Sequence, residues 1–89
     1  MASLMKLVPG SVWKHYRNRL PYLIIGIGHS TDDLRKQVVY RQLYPLDSKK
    51  TNEHGLKSYG LWVRDLDEFL QTVETDRGNV SRFSFVSHT

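Results

Sequence analysis

The sequence predicts a small, mainly β domain: a five-stranded antiparallel barrel with one short helix before its last strand. Three observations predict it. Four short stretches rich in β-branched and aromatic residues, each bounded by turn formers, occupy residues 11–64; one helical period follows at 66–73; a stretch alternating at period two closes the chain at 80–86. The 89 residues allow one domain. A domain of this size buries only roughly 60–65% of its unfolded surface. With no cysteine, disulfides, thiolate zinc sites and thiol nucleophiles are all excluded. The fold must close on ordinary packing.

Pro9-Gly10 punctuates the start, and residues 1–8 read as a flexible tail before a single domain at 9–86, with 87–89 as a C-terminal tail. Residues 11–17 mix β-branched, aromatic and basic side chains as a first strand, and Asn18-Arg19 supplies a turn. YLIIGIGH at 22–29 is short and β-branched, hence a strand, with Gly26 and Gly28 allowing it to bend. Residues 30–36 are polar and turn-like, and QVVYRQLY at 37–44 is the third strand. Residues 45–58 carry Pro45 and Gly55 and read as an inserted loop before YGLWVR at 59–64. Asp65 then opens a helix as a capping-box relative, with Asp67 and Glu68 in the first turn. Leu66, Phe69, Leu70 and Val73 recur at helical spacing, extending that helix to about Thr75. Asp76-Arg77-Gly78-Asn79 is a turn, and VSRFSFV at 80–86 is the closing strand. A helical turn between the fourth and fifth strands is the arrangement of small SH3-like barrels.

Alternation along the strands sorts side chains onto two faces. Pairing His15 with Tyr22, Tyr22 with Tyr44, Gln42 with Trp62 and Tyr40 with Arg64 gives one aliphatic face: Leu23, Ile25, Ile27, Val39, Leu43, Leu61 and Val63. This set is the expected core. The other face carries Trp13, His15, Tyr22, Ile24, Tyr40, Gln42, Tyr44, Trp62 and Arg64. Rings interleaved with Arg and His suit stacking against planar or anionic ligands. The competing reading is that the helix, the closing strand or a second protomer covers that face, because a domain this small needs most of its large aromatics as core.

The formal charge of +4 is dispersed: residues 1–41 carry a net of +5 and residues 42–89 a net of −1. Lys14, Arg17, Arg19, Arg41 and Arg64, interleaved with rings, have the composition of a nucleic-acid surface, but they form no run. His15, His29, Asp32 and Asp33 show no metal-ligand spacing, so neither a metal nor another cofactor is expected. His29-Ser30 are strand neighbours pointing opposite ways, and Gly26-x-Gly28 lacks the third glycine and helix of a phosphate loop. The opening MASLMKLVPG is interrupted by Lys6 and reads as no secretory signal, and the apolar run at 22–27 is too short for a bilayer. The expectation is a cytoplasmic protein that makes no membrane contact.

Pro9-Gly10, Trp13-Lys14-His15-Tyr16-Arg17 and His29-Ser30 match a signature of the form PG-x-Y-x-HYK…H-S. Val38-Val39-Tyr40 with Leu43-Tyr44, Leu61-Trp62-Val63-Arg64 with Phe69, and Arg82-Phe83 continue it in order. In these motifs the chain resembles the small bacterial family catalogued as domain of unknown function 1653, from residue 9 to 83. It departs in carrying Arg64-Asp65 where the pattern has Arg-Pro, and in a longer connection between Tyr44 and Gly60. The resemblance implies a fold boundary and no activity.

The functional expectation is therefore a non-catalytic binding module using Trp13, His15, Tyr22, Tyr40, Tyr44, Trp62 and Arg64 toward a protein, a peptide or a small planar or anionic ligand. A nucleic-acid-binding barrel is the alternative and an orphan enzyme the third reading. A homodimer through the aromatic face is a further possibility.

Overall fold

The computed structural model describes residues 4–44 and 60–88. The inserted loop expected at 45–58 lies outside them. The chain is mainly β. A 3₁₀ turn at Leu4–Lys6 precedes β1 (Ser11–His15), β2 (Pro21–His29), β3 (Lys36–Gln42) and β4 (Leu61–Asp65), then helix α1 (Leu66–Phe69), β5 (Thr72–Thr75), β6 (Gly78–Ser81) and β7 (Phe83–His88). Five antiparallel strands form one sheet in the order β4-β3-β2-β1-β7, and β5 and β6 form a separate hairpin. Among the described residues β4 and β7 are open edges, with no ladder joining them into a barrel.

The alternation expected for the sheet survives with a uniform offset. Trp13 rather than His15 faces Tyr22, Gln42 rather than Tyr44 faces Tyr22, and Tyr40 rather than Gln42 faces Trp62. Each hairpin is shifted by two residues. A shift of two preserves faces, whereas a shift of one would exchange them. One irregularity does break parity. A bulge between Ile24 and Gly26 puts Ile27 opposite Val38, so Ile27 leaves the face of Leu23.

The identity of the core is the main correction. The aliphatic set expected inside faces outward: Ile25, Leu43, Leu61 and Val63 are 45%, 46%, 46% and 58% exposed, and Leu23 and Val39 are half-buried. The rings are inside instead. Trp13, Tyr22, Ile24, Val38, Tyr40, Phe69 and Phe83 are buried as one cluster, to which Leu7 adds its side chain. Leu7, expected as part of a flexible tail, thus contributes to the core while residues 4–6 stay exposed, and at the other end β7 continues pairing to Ser87 and His88.

Phe69 and Phe83 explain the inversion. Their rings stack at 4.0 Å with an interplanar angle of 6°, and Tyr40 meets both edge-on at 5.5 and 5.4 Å. Trp13 meets Phe69 edge-on at 5.7 Å, and Tyr22 meets Phe83 at 5.8 Å. Aromatic pairs favour edge-to-face or offset geometry and each side chain buries a large area, so a few rings can fill the interior of a small sheet. The buried indole is satisfied: Trp13 Nε1 donates to Ser11 Oγ at 3.0 Å, and Ser11 Oγ donates to the Val8 carbonyl at 2.7 Å.

Helix α1 is a single turn and ends well before the expected Thr75. Thr72, Val73 and Thr75 are β-branched, and they pair with β6 through a two-residue loop at Asp76-Arg77, closed by Gly78 at φ +99°. Asp65 is the N-cap residue, but its side chain makes no capping bond. Its carboxylate instead accepts from Gln37 Nε2 at 2.9 Å and Arg35 Nε at 3.1 Å, tying β4 to the start of β3. No helix among the described residues is long and apolar enough to cross a membrane.

Candidate functional site

The ring face is not wholly consumed by the core. Beside Phe83, residues of β1, β2, β3 and β4 and their connections line an open pocket of about 230 Å³. Six of the seven residues expected in the ligand site line it: His15, Tyr22, Tyr40, Tyr44, Trp62 and Arg64. The seventh, Trp13, is fully buried against Phe69 and Phe85 and belongs to the core. Arg17, Asn18 and Phe83 also line it, and none of the described lining residues is acidic.

Each wall is fixed by a specific contact. Trp62 is 38% exposed, and its Nε1 donates to Gln42 Oε1 at 2.9 Å. Gln42 is itself held by Gly60, whose carbonyl accepts from the Gln42 amide at 2.9 Å. Only glycine suits residue 60, because its φ is +73° and an added Cβ would lie 2.8 Å from Gln42 Cγ. On the opposite wall the Tyr22 and Tyr44 hydroxyls lie 2.6 Å apart, and Asn18 Nδ2 donates to the Tyr22 hydroxyl at 3.2 Å. The Asn18 side-chain carbonyl also accepts from the Leu20 amide at 2.8 Å, so this turn residue is pinned at both ends. Asn18 reads as a turn in the sequence, and nothing in its spacing marks it as pocket lining.

His15 meets Phe83 edge-on at 4.9 Å, and its Nδ1 accepts from the Arg17 backbone amide at 3.1 Å. In the neutral ring the proton therefore sits on Nε2. Burial, reinforced by the positive charges of Arg64, Arg82 and Arg17, holds the His15 pKa below its ordinary 6.5. Burial raises the Tyr40 phenol, an effect the Arg64 guanidinium opposes. Burial and the bond to Tyr22 push Tyr44 up to about 12.

Arg64 is the less exposed of the two arginines that line the pocket. Its Nη1 lies 3.6 Å from Glu68 Oε2, while its Nε is buried and meets no hydrogen-bond partner among the described residues.

The bases expected for a nucleic-acid surface divide between different places. Arg17 and Arg64 line the pocket. Arg41 is exposed opposite Leu23 and Leu61, on the outer face, and Lys14 is exposed on β1 opposite Pro21. Arg19 is exposed, at φ 57°, in a separate shallow cleft with Tyr16 and Arg77. His29 and Ser30 share no chemistry: Ser30 Oγ accepts from the Asp32 amide at 3.3 Å as part of a turn, and His29 is exposed opposite Lys36.

Residues 11–85 match the model of a family described as a protein of unknown function, DUF1653. The chain belongs to this family. A crystal structure of a DUF1653 protein from Bordetella bronchiseptica is similar to it, with a TM-score of 0.72 and 29% identity over 98% of this chain and 96% of that one. The comparison with curated proteins found no match. The DUF1653 match contains every residue of the pocket, from His15 to Phe83.

Proposed function

We propose that this DUF1653 protein is a non-catalytic binding module, whose coiled, SH3-like sheet presents one aromatic and basic pocket to a planar or anionic group carried by a peptide, a protein or a small molecule. The observation that carries this reading is the convergence of His15, Tyr22, Tyr40, Tyr44, Trp62 and Arg64 on one opening, with the rings and the bases at the same place. Ring faces supply stacking area, and a guanidinium supplies charge-assisted hydrogen bonds. The arrangement is local. Lys14, Arg19 and Arg41 lie elsewhere, so the phosphate-tracking groove of a nucleic-acid binder is not what the pocket offers.

Backbone NMR titration with a panel of single-ring fragments, neutral and anionic, tests the reading. Saturable shifts confined to the amides of His15, Asn18, Trp62 and Arg64 are expected. Shifts spread over the outer face of β2, β3 and β4, or none with any fragment, would contradict it. Repeating the titration at two salt concentrations adds a second arm. A single-anion site loses affinity gently with salt, whereas a surface contacting six or more phosphates loses it steeply.

A further inference from the structure

Three features of the pocket each leave a hydrogen-bond donor in want of an acceptor. Arg64 Nε is buried and has no hydrogen-bond partner among the described residues, and such a donor in a folded protein calls for an explanation. Glu68 Oε2 lies 3.6 Å from Nη1 and the Tyr40 hydroxyl bonds the guanidinium, so Nε–H is the donor that remains for an incoming oxyanion, as a charge-assisted bond. The second feature is a proton count. Tyr22 and Tyr44 share one phenolic proton across 2.6 Å, and Asn18 donates to Tyr22, so whichever phenol donates within the pair, the other O–H is left over. Both phenols line the pocket. The third is His15: its Nδ1 is occupied by the Arg17 amide, which leaves Nε2–H as its donor.

None of the described lining residues is a carboxylate. Among the described lining residues the permanent charges are Arg17 and Arg64, and Glu68 offsets one of them from outside. At about 230 Å³ the space is smaller than the roughly 300–1,000 Å³ of pockets that hold drug-sized ligands, so it suits one ring or one side chain.

Building on the pocket as a ligand site, the geometry points to a carboxylate borne on an aromatic or apolar body: the oxygens meet the Arg64 Nε–H and the leftover phenolic proton, and the body lies against Trp62. Two sources carry this chemistry, a free aromatic acid and the C-terminal carboxylate of a peptide ending in an aromatic residue.

The test uses NMR titration of the full chain with benzoate, benzamide, inorganic phosphate, and the tripeptide Gly-Gly-Phe with a free or an amidated terminus. Benzoate is expected to bind at least tenfold tighter than benzamide, its neutral isostere, and tighter than phosphate. Free Gly-Gly-Phe exceeding benzoate, with the amidated form tenfold weaker, assigns the peptide end; benzoate exceeding Gly-Gly-Phe assigns the free acid. Arg64→Gln should cost tenfold or more for benzoate and little for benzamide. Glu68→Gln, at a half-exposed side chain, should strengthen benzoate severalfold without touching the core. Equal binding of benzoate and benzamide would overturn the carboxylate while leaving a planar-ligand pocket standing. A preference for phosphate would overturn it in favour of a tetrahedral anion. Binding of none of the probes would remove both the carboxylate and the pocket reading beneath it.

Discussion

The Tyr22 and Tyr44 hydroxyls meet at 2.6 Å across two strand ends, and their rings cross edge-on at 5.5 Å. One ring is core and the other is half-buried, so the pair marks the line where the hydrophobic interior becomes the pocket wall. Burial and this bond push the Tyr44 phenol up to about 12. A phenol whose folded pKa exceeds its unfolded 10 contributes stability that is complete below pH 10 and is lost as the pH rises through 12. Ultraviolet titration should show one tyrosine ionising near 12 that disappears in Tyr44→Phe. A Tyr44 that titrates at 10 would contradict the contact.

His15 gives the opposite sign. Its folded pKa lies below the unfolded 6.5, so its contribution is complete above pH 6.5 and is lost as the pH falls from 6.5 toward the folded value. The His15 imidazole proton shifts should therefore titrate with a midpoint below 6.5, and His15→Gln should flatten the fall in urea midpoint over that window. A midpoint above 6.5 would mean that neither burial nor the three neighbouring arginines governs the ring.

The two tryptophans should separate core from pocket. Trp13 is fully buried among Phe69 and Phe85, and Trp13→Ala should cost about 3–5 kcal/mol. Domains of this size have about 5–15 kcal/mol in total. Trp62→Ala should leave a cooperative unfolding transition, because that ring is 38% exposed and lines the pocket. Urea denaturation distinguishes them, and equal losses at the two sites would make the pocket face simply more core.

At Asp65 the sequence signal for a helix cap is misleading, and the difference can be measured. The carboxylate bonds Gln37 and Arg35 and not the helix amides. Asp65→Ser, which supplies a good capping oxygen, should therefore fail to restore the stability lost in Asp65→Ala. Full restoration would place the side chain back on the helix.

How far the fold was legible follows from the same residues. Parity is robust to shifts of two, so Trp13, Tyr22, Tyr40, Trp62 and Arg64 could be assigned to one face although every pairing among them was displaced. Parity cannot say which face is inside. That was decided by Phe69 and Phe83, which close over the rings from a helix and a strand distant in sequence. The bulge after Ile24 leaves no pattern in a run of isoleucines and glycines, so simple alternation puts Ile27 on the wrong face. Val73 continues the helical spacing of Leu66, Phe69 and Leu70, and only tertiary pairing with Val80 makes it a strand residue. The pocket was legible because its polar members alternate with core rings on the same strands. Asn18 and Arg17 joined it through a loop whose path the sequence does not specify.

The most direct measurement is the Arg64 side-chain Nε–H resonance, observed by NMR in the full chain with and without benzoate. The account predicts a resolved, slowly exchanging signal, since that atom is buried, which moves downfield and saturates together with the Trp62 indole signal as benzoate is added. An Arg64 Nε–H signal that stays fixed while benzoate shifts other parts of the protein would contradict it.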